Sequence, residues 1–90
     1  MNRQFDNLRL GSIELFCLTA QHQGFTAAAK ATGLTAAAVS RSVARLEERL
    51  GVRLLMRTTR QVRLTEVGKR YYDQCRNALT QLSEAEREAS

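Results

Sequence analysis

The stretch GLTAAAVSRSVARLEERLG, residues 33–51, limits the possible folds more than any other part of the chain. Thr35 is a helix-capping residue type and Gly51 suits a left-handed stop, so the two bracket one helix. At about 100° per residue, Val39, Val43, Leu46 and Leu50 fall on one stripe, which predicts a core-facing side. Ala37, Ser40, Arg41, Ala44, Arg45 and Glu48 gather on the opposite side. That outer side begins with short side chains and continues with arginines that reach outward. Small residues let a helix backbone approach a groove wall, and the free N–H groups of the first turn favour phosphate. Alanine is also the best helix former, so the triplet Ala36-Ala37-Ala38 takes its meaning from its surroundings.

Those surroundings are helical. Leu10, Ile13, Phe16, Cys17 and Ala20 recur at steps of three and four, predicting a first helix over about Leu8 to Gln23. Gly24 is the expected stop, taking positive φ without steric cost. Thr26 is the expected cap of a short second helix through Ala31, and Thr32-Gly33-Leu34 is the turn. Two helices joined by so short a turn form a helix-turn-helix. Its spacing asks for a small residue, glycine four later and an aliphatic six beyond, and Ala29, Gly33 and Val39 meet it.

After Gly51, residues 54–56 and 61–64 read as two short strands around Arg57-Thr58-Thr59-Arg60, with Val62 and Leu64 alternating with polar neighbours. A hairpin directly after a recognition helix is the wing of a winged helix. Arg57 and Arg60 are placed at its tip, flanked by Arg53 and Arg63. Guanidinium at a protruding tip suits the negative potential of a narrow minor groove. Charge agrees by position rather than in total. The chain carries a net +5, but residues 30–70 hold ten basic and three acidic side chains, whereas residues 71–90 hold two and four. Excess positive charge confined to one segment points to a phosphate-facing surface.

Thr65 caps the expected last helix, over about Glu66 to Glu88, with Glu66 in its first turn. Cys75, Ala78, Leu82, Ala85 and Ala89 step by three and four, the seam of a helix that pairs with another helix. Val67, Tyr71, Tyr72 and Leu79 form a second strip, assigned to the chain's own core. Such a helix, roughly 35 Å long, exceeds what so small a core covers. Dimerisation is the favoured reading, with a solvated helix end as the alternative. The expected organisation is a winged helix-turn-helix domain over residues 1–64 and a linker or dimerisation helix over residues 65–90.

Other functions are disfavoured. No nucleophile–base pair or glycine-rich phosphate loop is identifiable, so an enzyme is not expected, nor is a cofactor. The single His22 and the widely separated Cys17 and Cys75 do not form a metal site; two buried thiols in a reducing cytoplasm are expected. No apolar run has the length of a membrane span, and no signal-peptide pattern is present. RNA binding calls for exposed aromatics, and the five aromatics fall at core-like positions. A winged helix that binds another protein remains the serious rival, since fold does not fix function.

The runs FTAAAKATGLT and AVSRSVARLEERLGVRLLMRTTRQVRLTEVG, with the helix that follows, resemble the N-terminal region of LysR-type transcriptional regulators over about Leu8 to Leu82. The resemblance implies a winged helix-turn-helix that binds double-stranded DNA as a homodimer through the linker helix. It also implies a longer chain whose effector-binding domain lies outside these residues. By that similarity Thr35, Ser40 and Arg41 fall on DNA-contacting positions, and residues 57–60 form the wing. One departure stands out. The family commonly places Gln and then Pro or Ser after the cap, where this chain has Ala36-Ala37, which offer only apolar contact such as with a thymine methyl. The expected mechanism places helix 35–50 in the major groove and wing 53–64 at the minor groove. Thr26, Lys30 and Thr35 hold phosphates, Ser40 and Arg41 read bases, and Arg45 serves either purpose. The contact set is completed by Ala36, Ala37, Arg57, Thr58, Thr59 and Arg60.

Overall fold

A computed structural model describes residues 10–58 and 61–90. The elements run α1 (Leu10–His22), α2 (Phe25–Thr32), α3 (Ala36–Leu50), β1 (Leu55–Arg57), β2 (Val62–Leu64) and α4 (Glu66–Ala89). The architecture is a winged helix-turn-helix followed by one long helix. Expected residues Leu8 and Arg9 of the first helix, and Thr59 and Arg60 of the hairpin, lie outside the described residues.

The small-residue spacing does what the sequence requires of it. Ala29 is buried, Val39 is fully buried, and Gly33 adopts φ 75°, with Leu34 N–H bonding back to Ala29 O at 3.1 Å. Thr35 caps α3 by accepting the Ala38 N–H at 3.1 Å. Phe16, Val39, Val43, Leu46, Leu54 and Leu55 fill the centre, with Ile13, Cys17, Ala28, Ala29 and Val62 around them. From α4, Tyr71 and Tyr72 lay their rings against Phe16 at centroid separations of 5.5 and 6.4 Å. A hydroxyl pair, Ser42 to Ser12 at 3.0 Å, joins α3 to α1.

Several local expectations are corrected. The positive φ between α1 and α2 belongs to Gln23 (φ 57°), not Gly24, which is extended (φ −178°) and serves as the N-cap of α2. Thr26 is therefore the second residue of α2 rather than its cap, because the helix starts at Phe25, two residues earlier than a Thr26 cap requires. Leu50, expected on the core stripe, is 37% exposed, since the core ends at Leu46 as the chain turns at Gly51. Val67 is likewise exposed, because the face of α4 that meets the body passes through Gly68, Tyr71, Tyr72, Cys75 and Leu79.

The hairpin is short, with Leu55, Met56 and Arg57 opposite Leu64, Arg63 and Val62. Thr65 closes its base. The hydroxyl donates to Arg53 O at 2.7 Å, the amide donates to Leu54 O at 3.0 Å, and the Thr65 hydroxyl oxygen accepts the Gly68 N–H to cap α4. Gly68 lies so near this base that a Cβ there would overlap the Leu54 carbonyl oxygen. Glycine is what lets α4 begin where it does.

Candidate nucleic-acid interface

The starts of α2 and α3 and the turn of the hairpin meet around one open depression. Thr26, Ala36, Ala37, Ser40 and Thr58 line it, with Phe25 and Gln61 alongside. Five residues expected on the contact surface are thus brought together from three elements. Lys30, Thr35, Arg41 and Arg45 are exposed on α2, at the α3 cap and along α3. Thr58 shapes the turn: its hydroxyl donates to Gln61 O at 2.8 Å and accepts Gln61 N–H at 3.1 Å. Arg63 lies along β2, its guanidinium 3.4 Å from Gln61 Oε1.

Arg57 does not stand at the tip. It is the last residue of β1, with Nη2 3.2 Å from Glu47 Oε1 and its guanidinium 5.2 Å from the centroid of the Phe25 ring. Glu47 is the residue that sequence reasoning missed. Only 7% exposed, its Oε2 accepts the Leu54 and Leu55 amides at 2.8 and 3.0 Å. Arg53 Nη1 stands 3.8 Å from Oε1. A signal existed: Glu47 lies four residues after Val43 and three before Leu50, on the apolar stripe of a helix followed by arginines. A carboxylate at such a position needs hydrogen bonds and a cation.

Along α4, Ala78, Leu82, Ala85 and Ala89 are exposed, Leu82 by 49%. Cys75, expected with them in one seam, instead packs half-buried against the core. Both cysteines are free thiols. Burial pushes the Cys17 thiol from 9.0 up to about 11, with Cys75 and Glu14 adding to the rise and Arg76 opposing it. Burial also raises Tyr71 to about 12, helped by its hydrogen bond to Cys75. The Cys75 thiol is raised by burial and lowered by that same bond. These thiols are packing groups, held protonated at neutral pH. No described helix is long and apolar enough to cross a membrane.

The family model described as "Bacterial regulatory helix-turn-helix protein, lysR family" matches residues 10–69, from the start of α1 through the first turn of α4. The chain belongs to the lysR family. Among its curated lysR relatives, an uncharacterized HTH-type transcriptional regulator of Haemophilus influenzae is 44% identical over 78 residues, covering 87% of this chain and 27% of that protein. The HTH-type transcriptional regulator DsdC of Escherichia coli is 37% identical over 83 residues, covering 92% and 27%. The chain thus spans about a quarter of the length of these relatives. Among solved structures, the BenM DNA-binding domain in its catB site 1 DNA complex superposes with a TM-score of 0.82 at 29% identity, covering 87% of this chain and 84% of that one. The CbnR DNA-binding domain in complex with DNA gives 0.83 at 26% identity, covering 91% and 94%.

Proposed function

We propose that this lysR-family chain is the double-stranded-DNA-binding part of a bacterial transcriptional regulator, working as a homodimer in the cytoplasm. The observation that carries the reading is the shared depression. It brings the bare start of α3, Thr26 of α2 and Thr58 of the hairpin to one side of the molecule, with Arg41 and Arg45 exposed along the same helix. BenM and CbnR, which share the fold, are themselves seen on DNA.

In this reading α3 enters the major groove. Ser40 and Arg41 meet base edges, while Ala36 and Ala37 offer apolar contact such as to a thymine methyl. Thr26, Lys30 and Thr35 hold phosphates and set register, Arg45 adds to either role, and residues 58–60 approach the minor groove. Residues 1–64 bind DNA. Residues 65–90 carry the partner contact, using Ala78, Leu82, Ala85 and Ala89, with Cys75 supporting from the core side. Two copies then place their recognition helices about 34 Å apart or at a multiple of that. An effector, where one acts, binds in regions beyond this chain.

Selection of bound duplexes from a random pool tests this directly. Recovery of an inverted repeat with defined spacing is expected; retention of no duplex at low salt would favour a protein-binding module. Arg41→Ala should cost about 1–3 kcal/mol of affinity and relax preference at one base position. An even loss across all sequences would make Arg41 a phosphate contact instead.

A further inference from the structure

We infer that Glu47, Arg57 and Phe25 form a clamp that positions the hairpin on the recognition helix, and that Arg57 acts through this clamp rather than as a free cation at the DNA surface. The inference rests on the DNA-binding reading above and assigns these residues a role within it.

The carboxylate of Glu47 is fully occupied. One oxygen takes both amides that open the hairpin, Leu54 and Leu55, and the other takes the Arg57 guanidinium. Arg57 in turn lies over Phe25, the first residue of α2, so one side chain of β1 touches α2 and α3 together. Opposite Arg57 in the ladder is Val62, whose N–H donates to Gln23 O at 3.3 Å between α1 and α2. Both strands are therefore fastened to the helical body near the same point. Arg57 is neutralised by its partner and its side chain is 32% exposed, whereas Arg53 on the same carboxylate is 72% exposed. A planar fork that both pairs and stacks is specific to arginine, and lysine does not reproduce it.

The clamp reverses the sign of an electrostatic expectation. Removing a carboxylate from a surface that meets a polyanion should strengthen binding. Removing a positioning carboxylate should weaken it. The test uses the 90-residue chain, a mixed-sequence duplex titrated over a range of KCl, and amide exchange of the free protein. Glu47→Gln and Arg57→Lys are each expected to weaken binding about tenfold, the scale of a lost charge-assisted bond. The double variant should be no weaker than the poorer single one, and exchange should quicken at Leu54 and Leu55. Phe25→Leu, which removes only the stacking, should weaken binding less and supplies the readout where Glu47→Gln does not fold. Tighter or unchanged binding by Glu47→Gln, wild-type behaviour of Arg57→Lys, or multiplying losses in the double variant would overturn the clamp. Should the wild-type chain retain no duplex, the DNA reading falls; quickened exchange confined to the hairpin still upholds the clamp, and unchanged exchange removes it.

Discussion

Helix α3 and the hairpin that follows it are neighbours in sequence, but different kinds of interaction hold them. The helix carries its own ends. Thr35 caps one and Gly51, at φ 74°, closes the other by donating its N–H to Glu47 O and Glu48 O. Its buried residues recur at helical spacing, so a short window of sequence contains nearly everything that specifies it. The hairpin has three residue pairs and few internal anchors. Its position depends on Glu47 from α3, Gln23 between α1 and α2, and Thr65 at the start of α4. Local interactions build α3, and long-range ones set the hairpin beside it.

The largest expected effect strikes the hairpin side. Gly68→Ala should destabilise the domain by about 3 kcal/mol or more, because the new methyl meets the rigid Leu54 carbonyl and α4 must shift away. Chemical denaturation measures the loss, and a change below about 0.5 kcal/mol would show that the hairpin base yields easily. Next in size is a test of whether both regions fail together. The folded Cys17 thiol titrates near 11, against 9.0 for the exposed group. The buried, protonated thiol therefore contributes stability that is intact below pH 9 and lost as pH climbs towards 11, by about 2–3 kcal/mol. Cys17→Ala should flatten that alkaline decline, and far-ultraviolet dichroism alongside hairpin amide signals will tell whether α3 and the hairpin unfold at the same pH. The smallest effect belongs to α3. Thr35→Ala removes one cap bond and should cost about 1 kcal/mol, with the hairpin amides unchanged.

This contrast also explains what could be read before the structure. The helix-turn-helix spacing of Ala29, Gly33 and Val39 and the Thr35 and Thr65 caps depend on residues close in sequence and are found in place, and both hairpin strands form, the first at Leu55–Arg57, one residue later than expected. Glu47 escaped because its partners, two amides and a guanidinium, are supplied by chain that folds back over it. Gly68 escaped because only the approach of Leu54 makes glycine necessary there. At the α1–α2 junction the error was one of register. Gln23 accepts the left-handed conformation, so Gly24 begins the next helix and Thr26 becomes an exposed surface residue. Spacing alone puts Cys75 in the outward seam, but the tyrosine pair beside it draws that part of α4 onto Phe16.

The Thr65 tie has a consequence for how such domains diversify. By joining residues 53 and 54 to residue 65, it seals the hairpin at its root, while Glu47 and Gln23 hold Arg57 and Val62 further out. Lengthening a closed loop costs only slowly more entropy. Length and chemistry can therefore vary under selection between Arg57 and Val62 while the two rods keep their mutual setting, and new preferences can arise without refolding the scaffold.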